Sequence, residues 1–193
     1  MGSQLARILE RIHEAERELD RATADWRREV KFARADAVRF SEEIRAEQRK
    51  LRRSLLAHIR SIGFLFWLTA PVIYAMIVPL VLTDLFASVY QWVCFPVYGI
   101  GRVRRADYVV IDRHRLPYLN AIEKLNCVYC GYANGVIAYA RELASRTEQY
   151  FCPIKHAFPI PTPHRRYSRF VAYGDAKAYR EELAQLRKTA DEP

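Results

Sequence analysis

From Ser61 to Gly101 the chain runs for 41 residues with one formal charge, Asp84. Such length without charge is rare outside membranes, and it sets the first boundary on the fold. Ile62–Thr83 supplies 22 apolar or weakly polar residues, about 33 Å as a helix and enough for a hydrocarbon core. Leu85–Gly101 supplies 17 more, about 25 Å and near the short limit. Thr83 and Asp84 form the polar break between them. One helix of about 40 residues would be too long for a single span. Three arrangements follow: a hairpin turning at Thr83-Asp84, one span followed by an interfacial helix, or a re-entrant hairpin. A buried core hairpin of a soluble protein is the competing reading. Asp84 is read as a turn residue at the far headgroup level, in preference to a functional charge within the membrane.

Charge is distributed to match. Residues 1–60 carry 15 Lys/Arg against 11 Asp/Glu, and residues 102–193 carry 16 against 10, within a net charge of +9. Arg49, Lys50, Arg52, Arg53 and Arg60 precede the apolar run, and Arg102, Arg104 and Arg105 follow it. Basic clusters on both sides predict that both flanks are cytoplasmic, which selects a membrane hairpin over residues 61–101. The same arginines and lysine are candidate contacts for anionic lipid. Trp67, Tyr90, Trp92 and Tyr98 suit an interface, while Pro71, Pro79 and Pro96 predict kinks. The long charged segment before the run does not resemble a secretory leader, so residues 1–60 are expected in the mature, cytoplasmic protein.

In residues 1–60, apolar positions recur at Leu5, Ile8, Ile12, Ala15, Leu19, Ala22 and Trp26. Alternating steps of three and four make a heptad seam. No Gly or Pro lies between Ser3 and Ile62, so one long helix, broken at most once, is expected as a coiled-coil-like arm. Self-association or a protein partner is the expected use of its seam. Folding back on the C-terminal region is the alternative.

Beyond the run, Cys127-Val-Tyr-Cys130 is followed after 21 residues, the first of them Gly131, by Cys152-Pro-Ile-Lys-His156. A C-x2-C pair places two thiolates within reach of one ion, with Gly131 suited to a tight knuckle. Cys152 and His156 would share a helix face. The set Cys127, Cys130, Cys152 and His156 is therefore a candidate Cys3His metal centre, with structural zinc preferred and an iron–sulfur cluster as the alternative. Two other readings stay open: a dithiol pair at Cys127 and Cys130, or ordinary buried cysteines. Cys94, inside the apolar run, reads as a small hydrophobe. Helices are expected from Pro117 through Leu125 and from about Ala133 to Tyr150, with a proline-marked loop over residues 153–164 and a last helix capped by Asp175.

The segments Leu125-Asn-Cys-Val-Tyr-Cys-Gly-Tyr-Ala-Asn-Gly135 and Glu148-Gln-Tyr-Phe-Cys-Pro-Ile-Lys-His156, with the later Tyr173-Gly-Asp-Ala176, resemble a family of uncharacterised bacterial membrane proteins. The resemblance covers about residues 107–180. It implies a bacterial origin and a shared cysteine-rich unit, and it supplies no reaction.

His164, Arg165, Arg166, Tyr167, Arg169 and Phe170 mix basic and aromatic residues, as single-stranded nucleic-acid sites do. No nucleic-acid motif accompanies them, so a lipid-facing or solvated surface is preferred. There is no Gly-rich phosphate loop, nucleophile elbow or paired carboxylate, which favours binding over catalysis. The expected protein is all-α, with an arm over 1–60, a membrane hairpin over 61–101 and a small helical Cys3His domain over 102–193. Its expected role is a metal-binding scaffold or interaction protein anchored in the bacterial inner membrane. A membrane electron-transfer or thiol-redox protein using the same residues is the alternative.

Overall fold

The computed structural model describes residues 42–189, together with Arg11, Glu14, Ala15 and Glu18. Apart from Ala15, the heptad seam of the arm lies outside the described residues. The chain is mostly helical, and the described residues contain no β-strand, only an isolated parallel bridge between Ile154 and Val171. Two compact units divide at Leu51 and Arg52. In the first, helix α1 (Glu42–Lys50) is polar and exposed, with Lys50 paired to Glu47 at 2.6 Å. The backbone then leaves helical geometry, so the arm does not continue unbroken toward the apolar run.

The second unit begins with helix α2 (Leu55–Ser61). Ser54 caps it, its Oγ accepting from the Ala57 amide at 3.2 Å. Two apolar helices follow, α3 (Phe64–Ala75) and α4 (Ile77–Tyr98), separated by Met76 alone. Together they make the run Phe64–Tyr98, 35 residues long. It is long and apolar enough to cross a membrane by length and composition. The expected turn at Thr83-Asp84 does not occur. Both residues lie inside α4, and Thr83 satisfies its hydroxyl by donating to the Pro79 carbonyl at 2.8 Å. The joint sits at Met76 instead. Pro79 has no amide to give the carbonyl four residues back, and its ring crowds that carbonyl, so the ladder is interrupted one turn before the proline. At the other end Gly99 adopts φ 69° and closes α4, and the Ile100 amide donates back to Phe95 at 2.9 Å.

The connection from Ile100 to Asn120 has two single 3-10 turns, Arg105–Asp107 and Arg113–Arg115. Helix α5 (Ala121–Phe151) then runs for 31 residues without interruption. A capping box starts it: Glu123 N donates to Asn120 Oδ1 at 3.0 Å, and Asn120 N donates to Glu123 Oε2 at 2.8 Å. Two helices with a glycine knuckle between them were the expectation here. Instead Gly131 and Gly135 lie one turn apart within a single helix, where the connection crosses it. A Cβ on Gly135 would meet Val109 Cα at 2.7 Å and the Tyr108 carbonyl oxygen at 2.8 Å. The glycines make room for a neighbouring backbone rather than breaking the helix.

Side-chain pairs fix the direction of packing. Tyr74 meets Asn126, Asp84 meets Tyr132, Gln91 meets Tyr139, and Tyr98 meets Tyr150. Numbers rise together, so α3–α4 and α5 run parallel, with the connection returning between them. The core lies at their C-terminal half: Phe95, Ile100, Val103, Tyr139 and Leu143, walled by Tyr90, Tyr108 and Tyr150. Beyond α5, an irregular segment passes through the 3-10 turn Arg165–Arg169 into helix α6 (Ala176–Lys188). Asp175 caps α6 as expected, its Oδ1 accepting from Ala178 at 2.9 Å. Buried Gln149 of α5 holds the far end, donating to the Leu186 carbonyl at 2.8 Å.

Candidate functional site

The residues of α3–α4 that are not exposed include Tyr74, Ile77, Leu80, Asp84, Ala87, Gln91 and Phe95, with Ala70, Ser88, Tyr90 and Cys94 beside them. Steps of three and four place the first seven on one face. Tyr74, Asp84, Tyr90 and Gln91 find hydrogen-bond partners on α5 or the connection. Arg105 clasps Asp84 through Nε at 2.7 Å and Nη2 at 2.5 Å, and the Tyr132 hydroxyl donates to Asp84 Oδ2 at 2.9 Å. Gln91 Oε1 accepts from the Val103 amide at 2.5 Å, while its Nε2 donates to Tyr139 at 3.0 Å. Near the Met76 joint, Tyr129 donates to the Ile73 carbonyl at 2.8 Å. The apolar helix is thus sewn to the charged part of the chain from Ile73 to Tyr98.

Asp84 is buried and has three donors converging on its carboxylate, two of them on one guanidinium. Its bond to Asp84 holds the Arg105 guanidinium above its ordinary pKa. Burial, then the same carboxylate, pushes the Tyr132 phenol up. The three groups form a closed ionic clasp between α4, the connection and α5. A carboxylate engaged in this way is not poised as a general base. The expectation of a headgroup-level turn at Asp84 is corrected: the charge is accommodated by turning inward. Arg105, expected at the lipid surface, is the partner that makes this possible. Arg52, Arg53, Arg60, Arg102 and Arg104 are exposed, while Arg49 and Lys50 belong to α1 in the first unit.

The opposite side of α3–α4 is bare. Leu68, Val72, Val78, Leu85, Phe86, Val89, Val93 and Val97 are all exposed, Phe86 at 68% and Val97 at 76% of their accessible surface. This is a far larger contiguous apolar surface than a soluble monomer ordinarily presents.

The cysteines are distributed differently from the expected centre. Cys127 and Cys130 sit within the first third of α5, and Cys152 is its C-cap. The 22 residues from Cys130 to Cys152 correspond to about 33 Å along the axis. His156 is tied elsewhere: its amide donates to the Tyr167 hydroxyl at 2.7 Å, and its ring stacks on Tyr167. Cys127, Cys130, Cys152 and His156 therefore do not gather around one ion in this fold. Among the described residues no three His, Cys, Asp or Glu side chains are grouped to hold a metal. In this fold the uninterrupted helix α5 keeps Cys127 and Cys130 apart from Cys152 and His156. All four cysteines are free thiols.

A second polar cluster fastens the C-terminal segment. Buried Arg166 donates to Ser145 Oγ at 3.0 Å and pairs with Glu142 at 3.0 Å, and Glu142 also pairs with Arg146 at 3.0 Å. Arg146 reaches the Gly101 carbonyl at 2.7 Å. Burial lowers the Arg166 pKa against the opposing pull of Glu142. Of the basic-aromatic group near residues 164–170, His164 pairs with Glu148 at 2.9 Å, and Tyr167 and Phe170 pack on it. That group is an internal fastening as much as a surface.

Gln91, Tyr132 and Tyr139 were not singled out as site residues from sequence, and Asp84 was read there as a turn residue. A signal was present: Asp84 and Gln91 are seven apart within an otherwise apolar run, the repeat of one helix face. Comparison with protein-family models, with characterised proteins and with solved structures finds no match.

Proposed function

We propose that this chain is a membrane-anchored interaction protein, with α3–α4 as its lipid-binding element and the helical unit around α5 held at the bilayer surface. The observation that carries the reading is the one-sidedness of α3–α4 from Tyr74 to Phe95. Tyr74, Asp84, Tyr90 and Gln91 on its covered stripe are bonded inward, and the surface opposite is exposed and apolar. Exposed arginines flank the run at Arg52, Arg53, Arg60, Arg102 and Arg104, where anionic headgroups would attract them. The heptad seam over Leu5–Trp26 is the segment proposed for self-association or for a protein partner. A bacterial inner membrane, with both flanks cytoplasmic, is the setting that the resemblance and the basic flanks favour.

Vesicle flotation tests the anchor. The full chain is expected to float with vesicles of phosphatidylcholine containing a minor fraction of phosphatidylglycerol. Leu85→Glu with Phe86→Glu, both on the exposed side, is expected to leave helical circular dichroism unchanged and abolish flotation. A full chain that remains in the dense fraction refutes the reading.

A further inference from the structure

We propose, building on the membrane reading above, that α3–α4 lies in the plane of one leaflet and does not cross the bilayer. Three observations converge on this orientation. The first is length. Phe64–Tyr98 is one helical run of 35 residues with a single joint at Met76, about 52 Å along its axis. A hydrocarbon core is about 30 Å thick. A surface-lying helix has no such limit.

The second is what lies beside the helix. Asp84 is close to the middle of the run, and the connection meets it there through Arg105. The Arg105 side chain remains 43% exposed, and Arg104 beside it 75% exposed. Crossing the bilayer would place these two guanidinium groups, and Asp107 with them, at mid-depth. Farther along, Glu142, Arg146 and Glu148 of α5 accompany the last turns of α4, because the two helices run parallel. A core about 30 Å thick centred on Asp84 would enclose the charges of Arg104, Arg105 and Asp107 and end near Glu142, Arg146 and Glu148. A leaflet touching only the opposite side would enclose none.

The third is the division of the surface. The stripe that carries Asp84 and Gln91 is covered by the charged part of the chain, and the other side of the run is continuously apolar. From Ile62 to Gly101 the sole formal charge is the one turned inward. The helix itself is apolar on every side, so the polar side that an interfacial helix needs is not its own. The polar side of this one is provided by the rest of the protein. The complementary charge is also in place, since Arg60 and Arg102 stand just outside the two ends of the run.

Depth-resolved fluorescence quenching tests the orientation. In a chain with Trp26, Trp67 and Trp92 replaced by phenylalanine, a single tryptophan is placed by Leu68→Trp, Leu82→Trp or Val97→Trp, all exposed positions. Vesicles of phosphatidylcholine with a minor fraction of phosphatidylglycerol carry nitroxide lipids, either shallow or deep. All three probes are expected to be quenched more strongly by the shallow label, with ratios within about twofold of one another. Strong deep-label quenching of the Leu82→Trp probe, with shallow quenching of the other two, overturns the in-plane orientation and leaves the membrane anchor standing. If these variants do not fold, epitopes added to the two ends of the otherwise unchanged chain give the same decision in sealed vesicles. Both ends on one side is the expected result, and ends on opposite sides overturn it. A chain that does not float, or that pairs its apolar side with a second copy in solution, overturns the anchor and the orientation together.

Discussion

Asp84 is the residue on which the packing of the apolar run depends. Its carboxylate is buried, whereas the guanidinium that neutralises it is half-exposed. Removing the guanidinium alone leaves an uncompensated charge against α5. Arg105→Ala is expected to lower the unfolding free energy by about 2 kcal/mol, discounted from a fully buried pair for that exposure. Asp84→Leu combined with Arg105→Ala is expected to recover most of the loss, since an apolar pair needs no neutralisation. Chemical denaturation of the two single variants and the double variant, read as a cycle, checks this. The thiols make the opposite case. Cys130 is exposed on α5 and far from Cys152 along the helix. Cys130→Ser is therefore expected to change stability by less than about 0.5 kcal/mol. The melting temperature is expected to be the same with and without a chelator. A large loss would mean that a metal does draw these residues together.

At the level of the element, α5 shows how one pattern can support two local structures. Cys-x-x-Cys-Gly is compatible with a knuckle between short helices, and it is also compatible with one long helix. The choice falls to what Gly131 and Gly135 touch. Gly135 lies against the backbone of Tyr108 and Val109, which cannot move aside cheaply, while Gly131 approaches the Val110 carbonyl oxygen at a looser 3.1 Å. Gly135→Ala is expected to destabilise by about 2 kcal/mol through overpacking. Gly131→Ala is expected to be near neutral, because a helix-propensity gain of about 1 kcal/mol offsets a small adjustment. Thermal denaturation of the two variants separates the cases. The ends of α5 and α6 were legible from sequence alone in part: Asp175 was recognisable as a cap, but Asn120 with Glu123 was overlooked in favour of Pro117. The proline begins a turn, and the helix starts only where a side chain can satisfy its first amides.

For the whole molecule, the parallel course of α3–α4 and α5 decides what environment the apolar surface can meet. Each charged side chain carried to mid-bilayer costs about 3 kcal/mol on insertion scales. The connection and α5 would bring several of these charges toward mid-depth. Placing the apolar side on a leaflet avoids that cost. It also predicts a dependence on lipid charge. Arg60→Gln with Arg102→Gln is expected to weaken partitioning into anionic vesicles by about 2 kcal/mol, roughly 1 kcal/mol for each arginine. Binding to vesicles of phosphatidylcholine alone is expected to be unchanged. Titration of the two chains against both vesicle types, at fixed ionic strength, measures the difference.

The helical class, the apolar run from Ser61 to Gly101 with its single charge, the Asp175 cap and the proline-marked segment after Cys152 were determined by local chemistry, and each is readable from neighbouring residues. Three matters were decided only by tertiary structure. A helix that is apolar on every side carries no periodicity to say which side is covered, so the orientation of α3–α4 waits for α5 and Arg105 to select the Asp84 stripe. The joint moved from Thr83-Asp84 to Met76 because a buried ion pair removes the need to turn a charge toward water. Pro79, by contrast, cannot be relieved of its missing amide. The cysteine set was divided because a glycine in a helix can serve either as a break or as a recess, and the backbone of residues 108–110 fills the recess.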